Sequence, residues 1–325
     1  MFSATIRSRP DDFDVTEELG YAFSGDGEHD FLYIEKRGAN TEWVARQLAA
    51  HAGVPARDVG YAGMKDRHAV TRQWFSVPRW HAPDWQQLAV DGVSLLDLQR
   101  HHRKLRRGAH TGNRFRIVLR GALPDDDKLE ERLATLRSNG APNYFGAQRF
   151  GRGASNIALA NAWSEGRRLP RHKRSIAISA ARSYLFNEFL DQRVRDNNWN
   201  LLLAGDVANL DGTGSVFAVD EVDDELIRRC NEKDIHPSGP LFGDGTAASN
   251  PSPTHEGWIR ALTDARVKAA NRSLRLRVDD LSWSTSDDSL TLTFTLTRGA
   301  FATSVLRELA TIQDAMRQLP ASPSS

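Results

Sequence analysis

The sequence predicts an α+β fold in which strand-rich segments enclose a mainly helical stretch. Near the start, Phe13–Leu19 and Phe31–Glu35 are short runs with a composition that is typical of strands. Near the end, Ser289–Thr297 places leucine or phenylalanine at every second position, with threonine between them. Because strand patterns return after the helical stretch, we expect the helical part to be inserted into the first domain.

The middle of the chain has the punctuation of helices separated by loops rich in glycine, proline and aspartate. The predicted helices are Ser155–Ala162, Ser175–Arg195, Asp223–Asn231 and Glu256–Ala270, and the predicted loops are Asp211–Gly214 and Pro237–Pro240. Outside it, one helix begins after Asn40 and ends at Gly53, and a final helix runs from Phe301 to about Leu319. The predicted domains are residues 1–139 with 277–325, and an insertion at 140–276.

Composition is typical of a globular protein and gives little indication of a partner. Of 325 residues, 40% are hydrophobic and 26% are charged, which suffices for a sizeable core. The 43 Lys and Arg residues balance 42 Asp and Glu, so the net charge is only +1. The single cysteine, Cys230, excludes an intrachain disulfide. With no pattern of a signal peptide or a membrane span, we expect a cytoplasmic protein.

The chemistry of the sequence is organised around Gly60–Val77. This stretch begins with a glycine-containing run that allows a backbone or a ligand to approach closely. A turn with Lys65, Asp66, Arg67 and His68 follows, and then a strand. A carboxylate that is beside cations and leads into a rigid strand stays ionised at neutral pH, as a carboxylate nucleophile must. The alternative is an exposed turn aspartate that pairs with a neighbouring cation.

Two segments concentrate positive charge in this nearly neutral chain. Arg100–Arg116 contains histidines, arginines and a lysine with almost no acid, and Arg167–Arg174 contains a second basic group. This density favours contact with the phosphate backbone of a nucleic acid. A solvated, charged surface is the alternative for both segments.

Several common catalytic motifs are missing from the sequence. Gly60–Lys65 lacks the Gly-Lys-Ser/Thr of a P-loop, no Gly-x-Gly-x-x-Gly opens a helix after a strand, and no Gly-x-Ser-x-Gly occurs. No predicted helix carries two histidines at metal-binding spacing. Carboxylate chemistry in basic and aromatic surroundings is what remains.

The central stretch belongs to a set of five segments. Gly63–Phe75 reads Gly-Met-Lys-Asp-Arg-His-Ala-Val-Thr-Arg-Gln-Trp-Phe, and the others are Pro10–Phe13, Thr111–Phe115, Pro142–Gly151 and Ala300–Leu309. In this order, the segments resemble the signatures of the TruD-type tRNA pseudouridine synthases, which isomerise uridine 13 of certain tRNAs. The resemblance implies a pseudouridine synthase core with a mixed, largely antiparallel sheet, interrupted by an inserted TRUD domain.

The resemblance also implies roles for individual residues. Asp66 corresponds to the nucleophile, which attacks either uracil C6 or ribose C1′ after the nucleoside is flipped out of the RNA. The residues that correspond to substrate contacts are Phe13, Asn113, Phe115 and Phe301, with Phe115 as the ring that stacks on the detached base. Core packing is the alternative for the three phenylalanines. Arg7 stands where the family has a lysine, so its pairing with Asp66 is expected to have a different geometry.

Partners and cofactors follow from the same resemblance. The predicted RNA-backbone contacts are Lys65, Arg67, Arg103, Lys104, Arg106 and Arg107. The implied reaction needs no metal and no cofactor, the implied partner is tRNA, and neither a membrane nor an obligate protein partner is expected. Two alternatives remain open: a non-catalytic RNA-binding protein, and a metal-dependent nuclease that uses Asp66, His68 and nearby acids.

Overall fold

The computed structural model describes residues 1–124, 127–245 and 255–318. The chain groups into two compact units. Among the described residues, the first unit contains 1–137, 278–299 and 309–318, and the second contains 138–277 and 300–308. Residues 300–308 therefore group with the second unit, whereas the predicted boundaries had assigned them to the first domain.

The part of the chain before the second unit is dominated by strands. They are β1 (Phe2–Ile6), β2 (Phe13–Leu19), β3 (His29–Arg37), β4 (Gly60–Tyr61), β5 (Val70–Pro78), β6 (Val93–His101) and β7 (His110–Arg120). Two helices accompany them, α1 (Thr41–Ala52) and α2 (Lys128–Asn139). The predicted end of α1 is confirmed, because Gly53 adopts the left-handed conformation (φ 65°) that closes a helix and that glycine reaches without strain. The segment predicted as strand at Phe13–Leu19 has the same bounds in the structure.

The second unit combines helices with a small sheet. Its elements are β8 (Ala141–Pro142), α3 (Ser155–Ser164), α4 (Arg171–Arg195), β9 (Val207–Leu210), β10 (Val216–Ala218), α5 (Asp224–Asn231), β11 (Ile235–Leu241), α6 (Glu256–Asp264), β12 (Ala270–Ser273) and β13 (Arg275–Leu276). Strands β10, β9, β11 and β12 form an antiparallel sheet that the sequence pattern did not predict. The predicted loop Pro237–Pro240 is wrong, because these residues lie in β11 and pair with β9 and β12. Pairing with neighbouring strands overrides their turn-forming composition.

The last part of the chain contains β14 (Asp279–Ser286), β15 (Ser289–Thr297), α7 (Ala302–Leu306), β16 (Ala310–Asp314) and α8 (Ala315–Gln318). The bounds predicted for the strand at Ser289–Thr297 are confirmed. The predicted final helix is wrong, because α7 stops after one turn and a strand follows it. That strand pairs in parallel with β1, at the other end of the chain, so a distant partner decides its conformation. Leu319, where this helix was expected to end, lies outside the described residues.

The first unit is built around one large sheet. Its main path has the order β14-β15-β7-β2-β5-β3-β6, while β1 joins β7 and β16, and β4 joins β5. Two of the described pairs, β2 with β5 and β1 with β16, are parallel, and the others are antiparallel. The predicted α+β class with a mixed, largely antiparallel sheet is therefore confirmed.

One face of this sheet carries a group of buried polar side chains. Lys36 lies opposite Thr71, Thr71 lies beside Val15, and Glu17 lies opposite Asn113. Paired residues point to the same face, and every second residue of a strand does so too. Lys36, Thr71, Glu17 and Asn113 therefore share a face. Helix α1 packs its apolar side on the same face, where the cluster includes Leu32, Ile34, Val44, Leu48 and Phe75.

Candidate active site

Residues 62–69, here called the Asp66 loop, join β4 to β5 above this polar group. The loop begins close to other backbone, because a Cβ on Gly60 would lie 2.3 Å from the carbonyl oxygen of Leu105. A Cβ on Gly63 would lie 3.3 Å from the ring of His110 and 3.4 Å from Nζ of Lys65. Glycine at these positions thus allows the loop to lie directly on its neighbours, as expected from the sequence.

Lys36 attaches the Asp66 loop to the sheet. Its side chain is fully buried, and its Nζ donates hydrogen bonds of 2.8 Å to the carbonyl oxygens of Asp66 and Ala39. Burial lowers the pKa of Lys36 to about 8, and the nearby charge of Asp66 acts in the opposite direction. The ammonium therefore fixes the backbone of Asp66 rather than its carboxylate.

A second set of hydrogen bonds holds the loop from the side of α1. The backbone N–H of Lys65 donates to Oγ1 of Thr41 at 3.0 Å, and that hydroxyl donates to Oε1 of Gln73 at 3.0 Å. The amide of Gln73 then donates to the carbonyl oxygen of Gly63 at 3.1 Å. Thr41 and Gln73 are both fully buried. These three hydrogen bonds connect Lys65, Thr41, Gln73 and Gly63 in series. Together they hold the backbone on both sides of Met64 in one position.

The side chain of Lys65 lies inside the unit. Its Nζ donates to Oε2 of Glu17 at 2.6 Å, and only 5% of the lysine side chain and none of the glutamate side chain is exposed. Burial raises the pKa of Glu17, while Lys65 and the N–H of Trp74 act in the opposite direction. A phosphate contact needs an exposed ammonium, so the structure corrects the predicted RNA-backbone role of Lys65.

The carboxylate of Asp66 faces the solvent, with 55% of its side chain exposed. Nη1 of Arg7 lies 3.5 Å from its Oδ2. Arg7 is itself held by the carboxylate of Asp314 through two hydrogen bonds, of which the one from Nε is 3.2 Å. Its φ of 57° is a backbone conformation that costs a non-glycine residue roughly 1–2 kcal/mol. An exposed carboxylate beside a fixed guanidinium is therefore the central feature of this site.

Three of the residues expected to contact substrate lie in the same unit as Asp66. The ring of Phe13 is under the guanidinium of Arg7, 5.2 Å from its Cζ. Phe115 is buried, stacked on Phe294 at 5.4 Å and edge-on to Phe13 at 6.3 Å. Asn113 is half-buried, and its Oδ1 is shielded from solvent without a hydrogen-bond partner among the described residues.

Comparison with protein families decides the relationship of the chain. The family model of TruD, tRNA pseudouridine synthase D, matches residues 2–161 and 158–309. The chain belongs to the TruD family. It is 46% identical to tRNA pseudouridine synthase D of Methylococcus capsulatus, over 94% of this chain and 90% of the relative. It is 45% identical to that of Nitrosococcus oceani, over 97% and 93%.

A solved structure supports the fold. The crystal structure of the Methanosarcina mazei protein assigned to TruD superposes with a TM-score of 0.73 at 19% identity, and covers 95% of this chain and 93% of that one. The resemblance seen in the five segments is therefore confirmed by the family and by the fold. As a TruD-family member, the chain is an enzyme of the isomerase class, a tRNA pseudouridine synthase.

The structure also gives the positions of the remaining residues that the TruD motifs had suggested. Phe301 lies in the second unit, immediately before α7. In the first unit, Arg67 is exposed and donates through Nε to the carbonyl oxygen of Gly38 at 3.2 Å. Arg103 and Arg106 are exposed as well. The other two basic residues make local contacts: Lys104 donates to the carbonyl oxygen of Arg57 at 2.6 Å, and the exposed Arg107 lies over the ring of Tyr61 at 3.6 Å.

The site also contains residues to which the sequence had assigned no role around Asp66. They are Glu17, Lys36, Thr41, Gln73, His110 and Asp314. A signal for Lys36 was present, because it continues the inward positions of β3 after Leu32 and Ile34. Burial, together with the charges of Lys65 and Arg298, lowers the pKa of His110 to about 4, so the ring is neutral at pH 7. Its Nδ1 is buried and has no hydrogen-bond partner in the part of the chain that the structure describes.

Within 1–124, 127–245 and 255–318, no group of three or more His, Cys, Asp or Glu side chains is arranged to hold a metal ion. Over the same residues, every helix is too short or too polar to cross a bilayer.

Proposed function

We propose that this protein converts uridine to pseudouridine at position 13 of tRNA, with Asp66 as the nucleophile. The observation that carries the proposal is the surrounding of Asp66. Its carboxylate is exposed, its backbone is fixed by the buried ammonium of Lys36, and the guanidinium of Arg7 is 3.5 Å away. An accessible anion on an immobile loop loses little freedom when it attacks, which favours nucleophilic catalysis.

The reaction exchanges one bond between base and sugar for another. Asp66 forms a bond to C6 of uracil or to C1′ of ribose, and the N1–C1′ bond breaks. The uracil turns in place, C5 bonds to C1′, and Asp66 leaves with the electron pair of its own bond. C5 then gives up its proton to a base, and N1, which kept the electron pair of the broken N1–C1′ bond, takes up a proton in exchange. All atoms are conserved and nothing is oxidised or reduced, so the proposal assigns no metal and no cofactor.

Substrate recognition is assigned to polar and aromatic groups around this loop. A stacked uridine exposes neither C6 nor C1′, so the nucleoside must be flipped out of the RNA. The unpartnered Oδ1 of Asn113 is an acceptor that suits the N3–H of uracil or a ribose hydroxyl. Phe13 and Phe115 are assigned to the base, and Arg7 to the orientation of Asp66.

RNA binding away from Asp66 is assigned to basic residues of the first unit. They are Arg67, Arg103, Arg106 and Arg107, together with Lys104. Charge-assisted contacts of this kind release counterions from the phosphate backbone, so they give affinity without reading the sequence. The tRNA substrate follows from the family and from the names of the relatives.

The test is to map pseudouridine in tRNA that has been incubated with the protein. Asp66→Asn keeps the size of the side chain and removes its charge, and it should abolish product while tRNA binding stays within about twofold of the wild type. Asp91→Asn, at an exposed aspartate on another turn of the same unit, is the matched control and should remain active. Pseudouridine formation by Asp66→Asn would refute the assignment.

Two other functions give different results in the same assays. A non-catalytic RNA-binding protein would leave tRNA unmodified at every enzyme concentration. A metal-dependent nuclease would cleave the RNA and would be silenced by EDTA, whereas the proposed reaction continues in EDTA without loss of rate.

A further inference from the structure

The second unit contains a pocket of about 410 Å³ beside the start of α4. Its lining includes Arg149, Asn156, Ser175, Ile176, Ser179 and Phe301, all of which belong to this unit. Pockets for small ligands measure roughly 300–1,000 Å³, so the volume suits one nucleotide. The lining is mixed, with a guanidinium, hydroxyls and an amide on one hand and two large apolar side chains on the other.

The charge at this pocket is not balanced by acid. Nη1 of Arg149 donates to Oγ of Ser179 at 2.9 Å, which directs the guanidinium without neutralising it. Arg272 lies next to it, and the two guanidiniums share the ring of Phe145 at 5.3 and 4.3 Å. Among the described residues, no carboxylate lies within ion-pair distance of either arginine.

The surroundings of Arg272 likewise contain no counter-charge among the described residues. Its Nη2 donates to Oδ1 of Asn143 at 2.6 Å, which is a neutral partner. Burial and the charge of Arg149 lower the pKa of Arg272 to about 10. Arg149 is close enough to lower the pKa of Arg272, so the two cations repel each other, and an anion beside Arg149 would relieve this repulsion. A phosphate group is bound well by arginine because the guanidinium presents a planar fork of N–H donors to the phosphate oxygens.

The apolar part of the lining suits a nucleobase. Ile176 is 40% exposed on α4, and Phe301 contributes an aromatic ring. A base that is inserted between such side chains is bound with little dependence on its identity. Nearby, Oγ1 of Thr303 is shielded from solvent and unpartnered among residues that the structure describes.

We propose that this pocket is a nucleotide subsite for the RNA chain, in which Arg149 holds a phosphate and Phe301 and Ile176 contact an unpaired base. The proposal rests on the proposed function, because it takes the RNA substrate from there. Phe301 was expected to contact substrate, whereas Arg149 and Ile176 are assigned here from the pocket alone.

The test measures affinity for a tRNA transcript in an Asp66→Asn background, where no turnover occurs. Arg149→Gln should weaken binding about tenfold near 0.1 M salt and should reduce the slope of log affinity against log salt by about one unit. Ile176→Asp, which places an anion on an exposed surface and is compatible with folding, should weaken binding at least tenfold. Arg195→Gln, at the exposed far end of the same helix, is the control and should change affinity less than twofold.

Four outcomes decide between the subsite and the proposed function. Normal affinity and salt slope in both Arg149→Gln and Ile176→Asp would refute it. Binding of uridine monophosphate that is tighter than binding of tRNA, and that is lost in Arg149→Gln, would refute the RNA assignment in favour of a free-nucleotide site. If the wild type forms pseudouridine and both variants bind tRNA normally, the subsite is refuted and the proposed function stands. If the wild type forms no pseudouridine and both variants bind tRNA weakly, the proposed function is refuted and the RNA subsite stands.

Discussion

The buried pair of Glu17 and Lys65 gives the most quantitative prediction. The two side chains are almost completely enclosed, and Nζ and Oε2 are 2.6 Å apart. Glu17→Gln keeps the shape of the side chain and an acceptor for the N–H of Trp74, but it leaves the ammonium of Lys65 buried without a counter-charge. We expect this single change to destabilise the first unit strongly.

The size of the effect follows from the cost of an uncompensated buried charge. Removing one partner of a buried ion pair costs about 3–5 kcal/mol. In a unit of about 150–250 residues, each kcal/mol lowers the unfolding midpoint by roughly 2–4 °C, so the expected shift is roughly 6–20 °C. Lys65→Met leaves the carboxyl of Glu17 instead, which can take up a proton. Because burial already raises the pKa of Glu17, the folded state binds this proton more readily than the unfolded chain, and the cost of Lys65→Met should shrink as the pH falls from neutrality towards 4.5, the ordinary pKa of the carboxyl.

Thermal unfolding of the two single variants, the double variant and the wild type gives the coupling free energy directly. The double variant Glu17→Gln/Lys65→Met should recover most of the loss, because no unpaired charge remains. Glu18→Gln is the control, since Glu18 follows Glu17 on β2 but points to the other face of the sheet. A shift below 2 °C in Glu17→Gln, or single costs that simply add in the double variant, would refute the reasoning.

Further predictions concern the loop, a buried imidazole and the basic surface. Lys36→Met should lower the rate of pseudouridine formation by about 10- to 100-fold with unchanged tRNA affinity, because the backbone of Asp66 loses its anchor; an equal loss of both would instead indicate misfolding. Between pH 6.5 and about 4, His110 stays neutral in the folded protein but is protonated in the unfolded chain. The wild type should therefore lose stability relative to His110→Gln as the pH falls from 7 to 5, by about 1 kcal/mol after allowance for partial exposure of the ring. Urea unfolding at both pH values measures this loss. Replacing Arg106 and Arg107 together by Gln should reduce the salt slope of tRNA binding by about two units, and an unchanged slope would show that neither contacts phosphate.

The sequence was most informative where local pattern and tertiary environment agree. Ser289–Thr297 alternates without interruption, and the sheet buries every second side chain, so its bounds could be read directly. The segment after Phe301 was misread because apolar residues at helical spacing also fit a short turn followed by a strand. Only the pairing of Ala310–Asp314 with Phe2–Ile6 decides between them, and no window of the sequence contains both.

The candidate site shows the same division. Asp66, Asn113 and the phenylalanines could be named because they stand in recognisable motifs. The roles of the loop's anchors could not be predicted, although Gln73 stands in the central motif. Thr41 and Gln73 form their hydrogen bond only when the fold brings α1 and β5 together. Lys65 was misassigned because a lysine beside the nucleophile has the same sequence whether its ammonium meets solvent or a buried glutamate on β2.

The grouping of residues 300–308 with the second unit has a consequence for dissection of the protein. The chain passes between the units four times, near residues 138, 278, 300 and 309, rather than twice as a simple insertion would. Excising only 138–277 would leave behind a segment whose Ser304 hydroxyl normally donates to the carbonyl oxygen of Tyr144. A fragment of the first unit therefore has to be engineered by joining 137 to 278 and 299 to 309, and a fragment of the second unit by joining 277 to 300. A single protease cut should not release either unit intact.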